Sequence, residues 1–265
     1  MRHATLFAIW FACNSGGTAL ADDGKAAAKY RFPAKGVGAE VFRSDEKATV
    51  TEKPEGWTFA PAAKGERKAT AAMLFFPGGG VEPAAYGPLL RKVAENGGTS
   101  VLVKLPAEMA TAETHRKNSI ARGEAAMKAN PEIARWAAAG HSMGATVAAR
   151  FVFEQPAKFA GLAIVGSTHP RDWDLSGCKG ETLKIQGTED GVARLAQSEA
   201  NRKLLPPGTT WVKIEGGNHA QFGSYGTQFG DRNATISAEQ QRQMTAEALA
   251  GWLKRCGEKS KIEGR

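Results

Sequence analysis

Short runs of consecutive apolar residues alternate along this chain with stretches in which apolar residues recur every three or four positions. The first pattern is typical of strands buried on both faces, and the second of helices with one buried face. Residues 70–76 contain the run Ala-Ala-Met-Leu-Phe-Phe, whereas Leu89, Leu90 and Val93 fall on one face of a helix. The predicted strands are 48–53, 57–62, 70–76, 100–105, 135–140, 159–165, 182–186 and 210–215. The predicted helices are 83–96, 114–129, 145–154, 192–205 and 237–255.

This alternation of strands and helices predicts an α/β fold, with a mostly parallel central sheet and helices on both of its faces. About sixteen residues separate the strand 159–165 from the strand 182–186, which is too few for a helical lid domain. The irregular stretch 223–236 is a long loop of the kind that often shapes a binding site. We therefore expect a single domain over 48–261 without a lid, preceded by a surface extension over 22–47.

The first residues have the features of a secretory signal peptide. Arg2 and His3 form a short basic start, residues 6–13 are apolar, and Ala-Leu-Ala at 19–21 fits a cleavage site. The apolar run is too short to span a bilayer. We therefore expect residues 1–21 to be removed and the mature protein to be periplasmic or secreted, with an ordinary N-terminus as the alternative.

The composition is that of an ordinary globular protein of 265 residues with a formal net charge of +8. Because Lys and Arg are spread along the chain without a dense block, we expect a solvated surface that favours anionic partners, and no nucleic-acid site. We also expect no transmembrane segment in the mature chain. The last residues, Ile-Glu-Gly-Arg at 262–265, match a factor Xa cleavage sequence and are interpreted as a remnant of recombinant expression.

Two cysteines remain beyond the predicted signal peptide, Cys178 before a predicted strand and Cys256 at the end of the last predicted helix. Exported proteins commonly pair their cysteines, so we predict a disulfide between them. Such a bond would contribute about 2–4 kcal/mol to stability. Two unpaired buried thiols are the alternative. Cys13, within the predicted signal peptide, leaves a lipoprotein as a further alternative.

The strongest chemical signal is the sequence Gly-His-Ser-Met-Gly at 140–144, which centres a Gly-x-Ser-x-Gly pattern on Ser142. It lies between a predicted strand and a predicted helix, where a sharp strained turn exposes a serine hydroxyl above a parallel sheet. The glycines let neighbouring backbone pass closely, and the helix N-terminus directs free N–H groups toward the reacting atom. We predict that Ser142 is the nucleophile of an acyl transfer, with a structural turn serine as the alternative.

A serine nucleophile needs a base, and the best candidate is His219, which follows the last predicted strand in a glycine-rich turn. A neutral imidazole there can take the hydroxyl proton and return it to the leaving group. His141 is expected to point away from the nucleophile and to pack or hydrogen-bond. His115 and His169 are alternatives for the base, although histidines in such positions are more often structural.

The base needs an acid to orient it, and Asp190 follows a predicted strand in Gln-Gly-Thr-Glu-Asp-Gly at 186–191. A carboxylate at that place can hold the histidine in the required tautomer and stabilise the imidazolium. The order nucleophile, acid, histidine is the one expected for this architecture. Glu189 is the adjacent alternative, and Asp172 and Asp174 are weaker ones.

Oxyanion stabilisation requires backbone N–H donors, and two segments can provide them. One donor is the amide of Met143, directly after the nucleophile, and the other is expected from the Pro-Gly-Gly-Gly-Val run at 77–81, where Gly79 and Gly80 are the candidates. Each such donor is typically worth about 2.7–4 kcal/mol in the transition state. A phosphate-binding loop is the rival interpretation of the glycines, but no Gly-Lys-Ser/Thr sequence follows them.

At these residues the chain resembles the α/β-hydrolase superfamily, and more closely a bacterial subgroup related to dienelactone hydrolases. The resemblance covers roughly residues 69–253 and is carried by segments 76–83 (FPGGGVEP), 140–144 (GHSMG) and 216–226 (GGNHAQFGSYG). It implies a carboxylic-ester hydrolase fold and a triad of Ser142, Asp190 and His219. Dienelactone hydrolases themselves use a cysteine nucleophile, so the serine here argues against that reaction.

The sequence therefore predicts an exported serine hydrolase that cleaves small-molecule carboxylic esters without a metal or an organic cofactor. We predict that Val81, His141, Phe222 and Tyr225 contact the substrate. Amide or thioester hydrolysis by the same triad is the first alternative, and a non-catalytic binding protein that retained the fold is the second. The sequence leaves the oligomeric state open, with a monomer as the expectation.

Overall fold

A single eight-stranded sheet forms the centre of the protein in the computed structural model, which describes residues 19–20, 26–27, 29–62, 71–107 and 112–258. Its strands, in chain order, are β1 (Ala48–Lys53), β2 (Gly56–Pro61), β3 (Ala72–Phe76), β4 (Thr99–Val103), β5 (Trp136–His141), β6 (Phe159–Val165), β7 (Glu181–Gly187) and β8 (Thr210–Ile214). Their spatial order is β8-β7-β6-β5-β3-β4-β2-β1. The strands β3 to β8 are parallel to one another, whereas β2 pairs antiparallel with β4 and β1 pairs antiparallel with β2 at the edge. This arrangement confirms the predicted mostly parallel sheet.

Helices cover both faces of the sheet, as predicted. They are α1 (Gly87–Glu95), α2 (Ala112–Lys128), α3 (Met143–Glu154), α4 (Leu195–Ala200) and α5 (Ala238–Glu258). Short 3-10 turns occupy Ala39–Phe42, Pro83–Tyr86, Pro156–Lys158, Arg202–Leu204 and Ala220–Phe222. Side chains of α1 and α5 join one hydrophobic cluster and those of α2 and α3 join another, so each face of the sheet has its own core.

The central strands are buried throughout because they are covered from both sides. Every residue of β3, β4 and β5 is buried, and successive residues of β3 alternate between the two clusters. The period of two along a strand sends neighbouring side chains to opposite faces.

The N-terminus of α5 is stabilised by its own residues: Ser237 Oγ accepts the Gln240 N–H at 3.1 Å, and the Gln240 side chain accepts the Ser237 N–H at 2.9 Å.

The strand order reverses direction at β3, which has β4 on one side and β5 on the other. In open parallel sheets, ligands bind outside the carboxyl ends of the strands at such a switch point. The loop after β3 begins with Pro77 and the glycine run, and the loop after β5 begins with Ser142. The fold therefore brings these two segments side by side at this edge.

The predicted helix 192–205 is much shorter in the structure, where α4 covers Leu195–Ala200. The first residues of the predicted helix are instead held in a loop. The backbone N–H groups of Val192 and Ala193 donate to the Asp190 carboxylate at 3.0 and 2.6 Å, and the Ala193 carbonyl accepts the Gln186 side chain. These local bonds between side chains and the backbone compete with the helix and hold residues 192 and 193 in a loop.

The predicted disulfide between Cys178 and Cys256 is wrong, because the two sulfurs are not bonded to each other. Cys256 packs in the cluster on the α1/α5 face, beside Gly161 of β6. Cys178 packs against the cluster on the α2/α3 face. The central sheet lies between the two thiols, so no change of side-chain rotamer could bring them within bonding distance.

Part of the N-terminal extension lies along the carboxyl edge of the sheet. Phe32 forms an isolated parallel bridge with Val81, donating its N–H to the Gly80 carbonyl at 2.9 Å and accepting the Glu82 N–H at 3.0 Å. The Lys35 N–H reaches the Ser224 carbonyl at 2.7 Å. This segment therefore braces the glycine loop that follows β3.

The termini are described only in part. Ala19–Leu20 and Ala26–Ala27 form a two-residue antiparallel pair. The rest of the predicted signal peptide (1–21) and the predicted expression remnant (262–265) lie outside the described residues. No helix within the described residues is both long enough and apolar enough to cross a membrane.

Candidate active site

Ser142 lies on a strained turn between β5 and α3. Its backbone has φ 55° and ψ −118°, and no other non-glycine residue in the described part of the chain has a positive φ. A side chain in this region costs about 1–3 kcal/mol and persists where the surrounding structure enforces it. Here the Ser142 N–H donates to the Val165 carbonyl at 3.0 Å, and the Ser142 carbonyl accepts the Ala145 N–H at 3.1 Å. The turn is thus fixed from both sides.

The two glycines of the Gly-x-Ser-x-Gly pattern are required by contacts across this turn. A Cβ on Gly140 would lie 2.3 Å from the Gly144 carbonyl carbon, and a Cβ on Gly144 would lie 2.1 Å from the Phe76 carbonyl oxygen. These atoms belong to the backbone and cannot move aside as a flexible side chain would. The pattern therefore reports how closely α3 approaches the ends of β3 and β5.

Asp190 and His219 are brought together from the loops after β7 and β8. The Asp190 Oδ2 atom lies 3.0 Å from Nδ1 of His219, and both side chains are at most 1% exposed. The other ring nitrogen, Nε2, is buried and has no hydrogen-bond partner among the described residues. With its proton held on Nδ1 by the carboxylate, the neutral imidazole presents Nε2 as an acceptor.

The Asp190 carboxylate is held in place by several donors. Oδ1 accepts the backbone N–H groups of Val192 and Ala193, and Oδ2 accepts the Gln186 Nε2 at 3.1 Å in addition to His219. A buried carboxylate with this many hydrogen bonds keeps its orientation. This network fixes which oxygen faces the imidazole.

The alternative acids are placed elsewhere. Glu189 is directed toward Arg232, with its Oε2 3.7 Å from the Arg232 Nε. Asp172 and Asp174 lie in the exposed loop after β6, where Asp174 accepts the Ser176 N–H at 2.9 Å. Asp190 is thus the acid among these four that reaches His219.

The alternative bases also lie apart from Asp190. His115 is buried on α2, and His169 stacks on Trp173 with ring centroids 5.7 Å apart. His141 packs against His219, the candidate base, with the two imidazole centroids 4.5 Å apart. Because His141 immediately precedes Ser142 in the chain, this contact places the His219 ring beside the nucleophile turn.

His141 itself is a buried packing residue whose Nδ1 has a partner, whereas its Nε2 has none among the described residues. Burial, followed by the nearby charge of His219 when that ring is protonated, holds the pKa of His141 well below its ordinary value. Its Nδ1 lies 2.8 Å from the Tyr86 hydroxyl, and that hydroxyl accepts the Gly78 N–H at 3.0 Å. Burial raises the pKa of Tyr86, so its hydroxyl keeps its proton and donates it to Nδ1 of His141.

The candidate oxyanion donors meet at the turn. A Cβ on Gly79 would touch the Met143 side chain at 3.0 Å, so the two loops are in direct contact. The Gly78 amide is used by Tyr86, whereas the amides of Gly79, Gly80 and Met143 donate no hydrogen bond to any other described residue. These N–H groups are available where negative charge would develop on a substrate oxygen.

A buried lysine lies beneath the loop after β6. Lys184 Nζ donates to the His169 carbonyl at 2.7 Å and to the Ser167 carbonyl. Burial lowers the pKa of Lys184 to about 7, an effect that the negative charge of Asp190 partly opposes.

The four residues predicted to contact the substrate, Val81, His141, Phe222 and Tyr225, have buried side chains. Each of these side chains is at most 4% exposed. Val81, Phe222 and Tyr225 belong to the core on the α1/α5 face, and His141 is enclosed by Tyr86, Phe222 and His219. Phe229, in contrast, is 95% exposed in the loop 223–236. The aromatic residues near His219 therefore support the site from within.

Sequence reasoning missed three residues that hold the site together, namely Tyr86, Gln186 and Asp231. Tyr86 lies in a 3-10 turn, Gln186 lies within a buried strand, and Asp231 lies in a loop. A polar residue at a buried position of β7 was a usable signal for Gln186, because buried polar groups need partners. Tyr86 and Asp231 had no comparable local signal.

Removal of the Tyr86 hydroxyl tests its role as the link between the glycine loop and His141. In Tyr86→Phe the Gly78 N–H and the His141 Nδ1 lose their partner in a buried place, which costs about 1–3 kcal/mol of stability. Loss of loop alignment should lower kcat by about 10- to 100-fold. The matched control is Tyr225→Phe, since the equally buried Tyr225 hydroxyl bonds to Gln228 alone among the described residues. Equal kcat values for the two variants would contradict the prediction.

The buried histidines predict acid sensitivity. Burial lowers the pKa of His169 to about 4 and also lowers the pKa values of His115 and His141. At a pH below the ordinary histidine pKa of about 6.5, the unfolded chain therefore binds more protons than the folded protein does. We expect the Tm to fall as the pH drops from about 6.5 toward 4. Thermal unfolding measured across this pH range should show a smaller fall of the Tm for His169→Gln than for the wild type. If the Tm of both proteins depends on pH in the same way, His169 is not a cause of the acid sensitivity.

Comparison with known families identifies one match of substantial length. The family model described as the alpha/beta hydrolase family matches residues 72–243, a span that runs from β3 into α5 and contains Ser142, Asp190 and His219. A comparison with curated proteins finds no significant match.

Solved structures share the fold at low sequence identity. A CIB-like hydrolase from Thermoplasma acidophilum is 16% identical, with a TM-score of 0.53 over 77% of this chain and 99% of its own. A protein of unknown function from Agrobacterium tumefaciens, described as an alpha/beta hydrolase, is 15% identical, with a TM-score of 0.53 over 78% of this chain and 96% of its own. At this level of identity the likeness concerns the fold alone.

Proposed function

Because this chain belongs to the alpha/beta hydrolase family, we propose that it is a serine hydrolase that cleaves carboxylic esters through an acyl intermediate on Ser142. The observation that carries the proposal is the buried contact of 3.0 Å between Asp190 and His219, at the same sheet edge as the strained turn of Ser142. A pair of this kind orients an imidazole to act as a general base. Fold alone would not support a reaction, because the same fold hosts many functions.

In the proposed reaction, Ser142 Oγ attacks the ester carbonyl carbon while His219 Nε2 takes the hydroxyl proton. Backbone N–H groups of Met143 and of Gly79 or Gly80 stabilise the resulting oxyanion. The tetrahedral intermediate collapses, the C–O bond to the alcohol breaks, and His219 returns the proton to the leaving oxygen. Water, activated by the same imidazole, then attacks the acyl-serine and releases the acid and free Ser142.

The absence of a helix from the described segment 166–180 favours small or extended ester substrates. Residues 166–180, between β6 and β7, contain no helix, and Trp173 in this segment packs back against Arg150 and Phe153 of α3. Ser142 and Met143 keep part of their surface exposed. A site covered by loops alone does not enclose a long acyl chain deeply, so we expect short acyl esters to react fastest.

Hydrolysis of p-nitrophenyl esters from acetate to laurate tests the proposal, with the corresponding anilides measured in parallel. We expect turnover of the esters, with the highest kcat/KM at short chain lengths, and labelling of Ser142 by a fluorophosphonate. Turnover of the anilides at rates equal to the esters would overturn ester specificity in favour of an amidase. A folded protein that neither turns over an ester nor is labelled would contradict the serine-hydrolase proposal as a whole.

Export is part of the proposal and rests on the sequence of residues 1–21. We propose a periplasmic or secreted location, in which coenzyme A thioesters are not available as substrates. Fractionation of cells that produce the full chain, with N-terminal sequencing of the product, tests this. A mature N-terminus at residue 22 in the exported fraction is expected, and an intact N-terminus in the cytoplasmic fraction would overturn it.

A further inference from the structure

One carboxylate, outside the proposed triad, accepts hydrogen bonds from three separate parts of the site. Asp231 Oδ1 accepts the backbone N–H groups of Gly191 at 3.0 Å, His219 at 3.2 Å and Arg232 at 2.9 Å. Asp231 Oδ2 accepts the Ala220 N–H at 2.9 Å. Hydrogen bonds to an ionised acceptor are about twice as strong as those between neutral groups. The side chain therefore joins the Asp190 loop, the His219 turn and its own loop.

The backbone around Asp231 is pressed against the loop that carries Asp190. A Cβ on Gly191 would lie 2.5 Å from the Gly230 carbonyl oxygen and 2.8 Å from the Arg232 nitrogen. The Arg232 guanidinium also donates to the Thr188 carbonyl at 2.9 Å and to the Asp190 carbonyl at 3.4 Å. Segment 230–232 thus holds the loop that carries Asp190 by two sets of hydrogen bonds. The Asp231 carboxylate accepts the Gly191 N–H, and the Arg232 side chain donates to the carbonyls of Thr188 and Asp190.

We propose that Asp231 is a positioning residue that sets the distance between Asp190 and His219. The contact of 3.0 Å between these two side chains requires both backbones to be fixed relative to each other, although they come from loops after different strands. Asp231 bonds to the backbone of His219 itself and to that of Gly191, the residue after Asp190. This inference rests on the proposed function, in which Asp190 and His219 act as acid and base.

The decisive variant is Asp231→Asn, which keeps the size of the side chain but replaces one acceptor oxygen with an amide group that cannot accept. The amide oxygen can take the place of Oδ1, but the Ala220 N–H then faces a donor, and the bonds to Gly191 and His219 lose the strength that the ionised acceptor gave them. We expect kcat for ester hydrolysis to fall by about 10- to 100-fold with KM nearly unchanged. The rate constant for labelling of Ser142 by a fluorophosphonate should fall by a similar factor, while all of the folded protein remains labelable.

The matched control is Asp174→Asn, because Asp174 also accepts a backbone N–H, that of Ser176, but lies in the exposed loop after β6. Its kcat and labelling rate should equal those of the wild type. A second readout that does not depend on turnover is the downfield proton resonance of the His219 Nδ1–H, which reports the hydrogen bond to Asp190. We expect this resonance to be lost or shifted in Asp231→Asn and retained in Asp174→Asn.

A purely structural role for Asp231 predicts a different outcome. In that case Asp231→Asn lowers the Tm or the labelable fraction, but each labelable site keeps the wild-type rate constant and the His219 resonance, and the proposal is overturned. If the wild type is not labelled at Ser142 and hydrolyses no ester, the proposed function fails. The resonance then still decides whether Asp231 controls the Asp190–His219 contact.

Discussion

Substitution of Ser142 by alanine is expected to lower kcat/KM for ester hydrolysis by about 10⁵- to 10⁶-fold, the loss seen when a nucleophile that acts with a base is removed. The free energy of unfolding should change little, because Ser142 Oγ makes no hydrogen bond to another described residue. Alanine also accepts the turn conformation no worse than serine does, since both carry a Cβ at φ 55°. Initial rates on p-nitrophenyl acetate together with thermal unfolding measure both quantities.

Ser237→Ala is a control for Ser142→Ala, because it is expected to lower the stability and to leave the activity unchanged. Ser237 Oγ caps α5 by accepting the Gln240 N–H, and no hydrogen bond of Ser237 among the described residues involves Ser142, Asp190 or His219. Loss of such a cap costs about 1 kcal/mol of stability and should leave kcat unchanged. Retention of more than a few per cent of activity by Ser142→Ala, in protein free of wild type, would show that Ser142 is not the nucleophile.

Substitution of Asp190 by asparagine is expected to lower kcat by about 10⁴-fold while the fold is kept. An asparagine oxygen can still accept the Val192 and Ala193 N–H groups, but its amide group then faces Nδ1 of His219. The imidazole responds by carrying its proton on Nε2, and this tautomer cannot accept the proton of Ser142. Steady-state rates compared with those of the wild type measure the loss.

The neighbouring Glu189→Gln variant serves as the control, since Glu189 faces Arg232 and is partly exposed. Its ion pair with Arg232 is worth at most about 1 kcal/mol, and we expect its kcat to remain within about twofold of the wild type. The assignment of the acid is reversed if Glu189→Gln is the inactive variant and Asp190→Asn the active one.

Much of the architecture could be predicted from local patterns. Continuous apolar runs marked β3, β5 and β6, which are buried on both faces, and their alternation with amphipathic helices gave the parallel sheet. The Gly-x-Ser-x-Gly pattern located the turn after β5, because both glycines are needed for backbone contacts that any side chain would block. These features depend on short stretches of chain, so periodicity and residue size are enough to reveal them.

Where the predictions failed, the outcome depended on residues far apart in the chain. Cys178 and Cys256 looked like a pair, but the sheet separates them. Phe222 and Tyr225 lie near His219 in sequence, and their burial in the core on the α1/α5 face was not apparent from the sequence. The sequence around a cysteine does not show on which face of the sheet that cysteine will pack. An aromatic residue in a loop belongs to no periodic pattern from which its burial could be predicted.

Local spacing and composition were enough to predict the order of elements, the strained turn of Ser142 and the residues that could act as acid and base. The folded protein was needed to show that Asp190 lies 3.0 Å from His219, that the Tyr86 hydroxyl links Gly78 to His141, and that Asp231 joins two loops. These contacts arise where the ends of parallel strands meet, and strand order is set by the packing of both cores together and not by any one segment.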